Sequence, residues 1–247
     1  MNAFGNRLRV QIFGESHGPF VGLVMDGVPP GIALQETDFE TDLLRRQGGN
    51  QPGSTPRKES DQPQLISGWF NGFTTGAPLT ILFANQQTRS SDYEQMKQQP
   101  RPGHADWVAQ QKFKGFQDYR GGGHFSGRLT VCLVAAGVLA KKILQHHPVS
   151  ASISIQARLI EAGGNSNIDA AIEQAMAAND SIGGIVECSV QGMPVGLGEP
   201  FFDSIESRLS HAVFSIPAIK GIEFGSGFAA ARLSGSAHND PIINAEG

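Results

Sequence analysis

Residues 14–31 read GESHGPFVGLVMDGVPPG. An apolar strand, Val21–Met25, runs into Gly27-Val28-Pro29-Pro30-Gly31-Ile32. That composition suits a turn, because proline pre-sets φ and glycine accepts a positive φ. The same order returns 165 residues later, with strand Ile185–Val190 followed by Gly192-Met193-Pro194-Val195-Gly196-Leu197. Each copy leads into a helix with an aspartate near its start (Asp38, Asp203) and a leucine in its body (Leu44, Leu209). Gly-x-Pro-x-Gly is common enough to recur by chance, but the shared strand, spacing and helix favour a duplicated β-turn-α unit.

Working outward, Leu8, Val10 and Ile12 alternate with polar residues, as do Ile153, Ile155, Ala157 and Leu159, and both stretches read as strands. Shorter strands are expected at Gln64–Phe70, Leu79–Ala84 and Gly221–Phe224. Thr37-x-x-Glu40 reads as a capping box for a helix that buries Phe39, Leu43 and Leu44 and stops at Gly48-Gly49. A long apolar helix opens at Ser126 or Gly127 and runs to about Gln145. Ile168, Ile172, Ala175 and Met176 mark a third helix, and Ile205, Leu209 and Val213 a fourth, which stops before Pro217. Strands and helices do not alternate as a doubly wound sheet requires, so the class is α+β with mostly antiparallel pairing.

The 247 residues carry a net charge of −4, which disfavours general affinity for nucleic acid or an anionic membrane. Glycine is in excess, at 31 residues, and must serve turns and close backbone approaches. Cys132 and Cys188 have no CxxC partner, so neither a zinc ribbon nor a disulfide framework is expected, and no metal site is assigned. The longest mostly apolar run, Leu129–Ala140, is too short to span a bilayer, and the N-terminus lacks an apolar signal region. A soluble cytoplasmic protein is expected. Residues 1–130 hold 13 basic and 12 acidic side chains, against 6 and 11 in the remainder. Several of the early arginines flank glycine or proline, which suits a small anionic ligand as well as it suits plain surface charge.

Three histidines stand in glycine-bounded turns. His17 lies in Gly14-Glu15-Ser16-His17-Gly18; its imidazole is a usable acid at neutral pH, with a backbone-bonded turn histidine as the alternative. His104 lies in Arg101-Pro102-Gly103-His104-Ala105-Asp106, where Arg101 offers a fork for carboxylate or phosphate and Asp106 reads as an N-cap. His124 follows Gly121-Gly122-Gly123 and precedes Phe125-Ser126-Gly127-Arg128 at the entry to the long helix, a place that can present N–H groups to an anion. Gly225-Ser226-Gly227-Phe228-Ala229-Ala230 fits a dinucleotide fingerprint, but the following residues cannot make the helix it requires. An HExxH motif is absent from the sequence.

These blocks together resemble the chorismate synthase family. GESHGPFVGLVMDGVPPG, RPGHAD (101–106), DYRGGG (118–123) and SGRLT (126–130) stand in family order, with STPRKESD (54–61), GLGEP (196–200) and GSAHNDP (235–241) around them. The resemblance implies a layered β-α-β sandwich with mostly antiparallel sheets, residues 1–247 forming a single such domain truncated at the C-terminus relative to the family. It implies anti-1,4-elimination of phosphate from 5-enolpyruvylshikimate 3-phosphate to give chorismate, with reduced FMN and no net redox change. By position, His17 would protonate the departing phosphate and His104 would sit beside the flavin. Arg46, Arg101, Ser126 and Arg128 would bind the phosphate and carboxylates. His124, Phe125, Ser126, Pro217 and Ala218 would contact the flavin. A homotetramer is implied too. The sequence departs from the family in having His124-Phe125 where many relatives have Arg-Ser, and Gln47 and Pro52 where bacterial relatives have arginine. A non-catalytic flavin- or anion-binding scaffold is the alternative, and an NAD(P)-dependent flavin reductase a third reading.

Overall fold

The computed structural model describes residues 2–48, 53, 59–86 and 99–242. The chain divides into two compact units, Met1–Val195 and Gly196–Gly247. In the first, β1 (Ala3–Phe4), β2 (Arg9–Gly14), β3 (Phe20–Asp26), β4 (Gln64–Ser67) and β7 (Leu79–Ala84) form an antiparallel sheet in the order β1-β2-β3-β7-β4. The register pairs Val21 with Phe83, Leu23 with Ile81 and Met25 with Leu79, so one face of the two central strands is wholly apolar. All six side chains are fully buried or nearly so, each contributing roughly 1.5–3 kcal/mol. Two helices cover that face: α1 (Glu40–Arg46), and α3 (Thr130–His146) through Val131, Cys132, Ala135, Val138 and Leu139. These positions recur at three- and four-residue spacing, the stripe of a helix lying on a sheet. On the opposite face Gly22 must stay bare, because a Cβ there would lie 2.6 Å from the Phe13 ring.

Where the alternation predicts one strand over Gln64–Phe70, Gly68 at φ +73° breaks it. Its Cβ would lie 2.5 Å from the Leu79 Cα, so the chain turns out into a hairpin, β5 (Trp69–Phe70) with β6 (Phe73–Thr74). Asn71 and Gly72 make the tip, both at positive φ, the geometry a two-residue hairpin turn demands. The capping box also sits two residues earlier than expected. Gln35 and Asp38 form it, a 3₁₀ turn spans Glu36–Phe39, and Leu44 is exposed while Phe39 and Leu43 are buried.

The remainder of this unit holds the hairpin β8 (Ser154–Ala162) with β9 (Gly184–Gln191), the helix α4 (Ile168–Ala177) between them in sequence, and α2 (Asp106–Lys112). The second unit holds α5 (Ile205–Val213) and 3₁₀ turns at Phe201–Asp203 and Gly227–Arg232. Residues 221–224 form no strand, since glycine and the turn at Gly225 leave them no ladder partner. Among the described residues, no helix is long and apolar enough to cross a membrane.

The internal echo extends to backbone detail. Gly27 and Gly192 each follow the second strand of an antiparallel pair, at φ +78° and +70°. A Cβ at Gly27 would strike the Arg7 carbonyl and one at Gly192 the Ser152 carbonyl, each two residues before its partner strand begins. Gly31 and Gly196 match as well, at φ +83° and +89°, and a 3₁₀ turn precedes the helix in both copies.

Candidate active site

Two loops build the site: Glu15–Gly18, which joins β2 to β3, and 119–127, which leads into α3. The Ser16 N–H donates to the Gly123 carbonyl at 3.1 Å. Gly121, Gly122 and Gly123 all have left-handed backbones, at φ +60°, +81° and +54°. A Cβ on Gly121 would lie 2.5 Å from His17 Cδ2, 2.7 Å from its Nε2 and 2.9 Å from Ser16 Oγ. The triple glycine thus wraps the chain against Ser16 and His17, whose side chains are buried, instead of running straight into the helix. A kinked 3₁₀ segment spans Arg120–Phe125, and α3 is entered only after Ser126, whose Oγ accepts from the Arg128 N–H at 3.3 Å; a 3₁₀ turn over Gly127–Leu129 then passes into α3.

A cleft of about 220 Å³ adjoins this loop, lined by Arg101, His104, Gly121, Gly122, Phe125 and Ser126, among others. Gly121 therefore has the His17 imidazole against it and the His104 cleft beside it, which brings the two histidines into one region. The exposed His104 has Nδ1 3.1 Å from the Pro102 carbonyl. Asp106 does not cap its own helix. Its carboxylate accepts from the Arg101 backbone N–H at 3.1 Å, from Nε at 2.8 Å and from Nη2 at 2.9 Å, so it fixes Arg101 at the rim. These bonds hold the Asp106 carboxyl below its usual range. Asp118 binds Arg120 in the same way; that bond is the chief cause of its lowered pKa, and the charge of His17 adds to it.

The other predicted cations are deployed differently. Arg128 is nearly buried. Its Nη1 pairs with Asp61, its Nε donates to Asn85 Oδ1 at 2.9 Å and its Nη2 donates to the Ala84 carbonyl at 3.2 Å. Arg46 donates to Asp61 at 2.9 Å, to Thr130 Oγ1 at 3.1 Å and to the Gly127 and Arg128 carbonyls. One buried carboxylate thus bridges two guanidinium groups and ties α1, the start of α3 and the end of β7 together. Burial lowers the pKa of Arg46, with Asp61 opposing. Neither arginine has its guanidinium on the lining of the cleft.

His124 turns to the sheet, with Nδ1 2.8 Å from the Gly14 carbonyl. Phe125 is partly exposed at the cleft and meets the Phe113 ring at 6.1 Å. Gln47 donates to the Glu59 and Ser60 carbonyls, while Pro52, Arg57 and Lys58 lie outside the described residues. Pro217 and Ala218 belong to the second unit, and Ala218 holds a positive φ of 71°. Sequence reasoning assigned no role to Asp61 or Asn85. Asp61 lies within the STPRKESD block, and Asn85 is the polar residue that ends the apolar run of β7.

The family model for chorismate synthase matches residues 8–247. This chain belongs to the chorismate synthase family. A chorismate synthase of Chitinophaga pinensis is 61% identical over 247 residues, which is all of this chain and 73% of the relative. One of Korarchaeum cryptofilum is 46% identical over 97% of this chain and 73% of its own length. A crystal structure of a chorismate synthase superposes with a TM-score of 0.74 at 25% identity, covering 95% of this chain and 73% of that one. The α+β architecture with antiparallel sheets is that of the family. Chorismate synthases are lyases of the shikimate pathway, and this relationship supports an enzyme over a non-catalytic scaffold.

Proposed function

We propose that this chain catalyses anti-1,4-elimination of phosphate from 5-enolpyruvylshikimate 3-phosphate to give chorismate, with His17 as the acid that protonates the departing phosphate. The observation that carries the reading is the His17 imidazole lying against Gly121, on the loop that also lines the Arg101–His104 cleft. A proton donor beside an arginine-lined cleft is what expulsion of a phosphate from a doubly carboxylated substrate requires. Arg101, held in plane by Asp106, and Ser126 bind the anionic groups at the cleft. Arg46 and Arg128 together with Asp61 add one net positive charge behind the loop, which favours the anionic substrate from outside the cleft lining.

The cleft residues also fit a flavin: Phe125 offers an exposed aromatic face, and Gly122 leaves the backbone open to close approach, with the nearest atom to a Cβ there 3.7 Å away. His104, Phe125 and Ser126 would hold reduced FMN, with His124 bracing the loop from behind. Reduced FMN held by these residues would supply a transient electron that is returned, so that no net redox change results. Cytoplasmic location and a homotetramer accompany this reading.

The test is an anaerobic assay of the purified full-length gene product with reduced FMN and the enolpyruvyl phosphate substrate, read by chorismate absorbance. Turnover that His17→Ala lowers by at least 10²-fold is expected. Absence of chorismate, or undiminished turnover in the variant, overturns the assignment.

A further inference from the structure

Asn85 is the first residue after β7 and joins the Glu15–Gly18 loop to Arg128, just past the glycine loop. Its amide nitrogen donates to the Glu15 carbonyl at 3.0 Å and to the Gly18 carbonyl at 2.7 Å. These two carbonyls bracket Ser16-His17. Its amide oxygen accepts from Arg128 Nε at 2.9 Å. Around it, the Asn85 N–H donates to the Pro19 carbonyl at 3.0 Å, the Gly18 N–H donates to the Glu15 carbonyl at 3.0 Å, and Arg128 Nη2 donates to the Ala84 carbonyl. The amide has a single workable orientation. Flipped, its nitrogen would face a guanidinium and its oxygen two carbonyls, and all three bonds would be lost.

Resting on the reading that His17 is the acid, we propose that Asn85 is a positioning residue that sets the imidazole of His17 relative to Arg128 and the glycine loop. The Glu15–Gly18 loop is anchored at two points. Ser16 is tied to Gly123 through the backbone on one side, and Asn85 clamps both ends of the loop on the other. Arg128 is in turn fixed by the buried Asp61. Through Asn85, the acid and the arginine cluster form one connected assembly. Asparagine supplies what the junction needs: two donors toward carbonyls and one acceptor toward a cation, on a short side chain. Aspartate has the same shape and keeps the acceptor but sets a carboxylate against two carbonyl oxygens. Alanine removes the clamp without adding charge.

Asn85→Asp and Asn85→Ala are to be compared with the parent protein in the anaerobic chorismate assay and by the ¹H–¹³C NMR resonance of the His17 imidazole, assigned with His17→Gln. The expected result is a fall in kcat on the order of 10²-fold, with KM within threefold, together with a displaced His17 resonance in both variants. An unchanged kcat and an unmoved resonance in folded variants, with only a lower urea midpoint, overturn the proposal and leave Asn85 a structural tie. Should the aspartate variant fail to fold, the alanine variant carries the comparison. Because the imidazole resonance is read without turnover, a parent protein that makes no chorismate defeats the assignment of His17 as acid and leaves the positional test standing.

Discussion

Gly121→Ala tests how the catalytic histidine is placed. Alanine at φ +60° costs about 1–2 kcal/mol in backbone energy alone. Its Cβ would also lie 2.5 Å from His17 Cδ2, so the imidazole or the loop must move by roughly 1 Å to reach ordinary contact. Misplacing a reacting group by about that much costs on the order of 10²-fold in rate. The expected outcome is a hundredfold lower kcat for chorismate formation under anaerobic conditions with reduced FMN, alongside a loss of only about 1–2 kcal/mol in urea unfolding. Gly164→Ala is the control. That residue has φ +79° and nothing within 4 Å of its Cβ, so it carries the same backbone strain with no imidazole to displace. It should lose comparable stability and no rate. A Gly121→Ala protein that turns over within threefold of the parent, or a Gly164→Ala protein slowed to the same degree, refutes the idea that the bare loop backbone seats His17.

Three further predictions concern the groups behind the site. Asp61→Ala leaves two guanidinium groups facing each other without their shared carboxylate, and urea unfolding should show a loss of about 3–5 kcal/mol; a loss below 1 kcal/mol would mean that the ion cluster is dispensable. Burial pushes the Cys132 thiol from 9.0 up to about 12, so at pH 8 iodoacetamide should modify the exposed Cys188 and reach Cys132 only in urea. Because the folded pKa is raised, this thiol's contribution to stability is complete below pH 9 and is lost as pH rises toward 12. A Cys132→Ala protein should lack that part of the alkaline decline, measured as the unfolding free energy against pH.

Much of the fold could be read directly from local pattern. Strands β2, β3, β7, β8 and β9 follow period-two or continuous apolar runs, and α4 and α5 follow helical spacing within a residue or two, while α3 starts at Thr130, three residues past Gly127, after a 3₁₀ turn. The duplicated turn was legible because glycine at φ near +80° is a requirement that composition records directly. The errors fell where local signals competed. Gly68 ended a strand that alternation would have continued, although Asn71-Gly72 carries the hairpin signal. Gln35-Asp38 took the capping role from Thr37-Glu40. Residues 221–224 had strand composition but no neighbour to pair with.

At the site, chemistry was legible and partnership was not. Sequence marked His17, His104, Arg101 and the triple glycine because their residue types in glycine-bounded turns suit proton transfer and anion contact. By itself it determined the family, the antiparallel α+β class and the residue types available for phosphate elimination. Only tertiary structure decided that His17 rests on Gly121, that Asp106 holds Arg101 instead of capping α2, that Asp61 gathers Arg46 and Arg128, and that Asn85 joins the Glu15–Gly18 loop to Arg128. The physical reason is separation along the chain. Backbone preference and hydrophobic period act over a few neighbouring residues, whereas a guanidinium finds its carboxylate only after sheet register and helix packing have brought distant segments within about 3 Å.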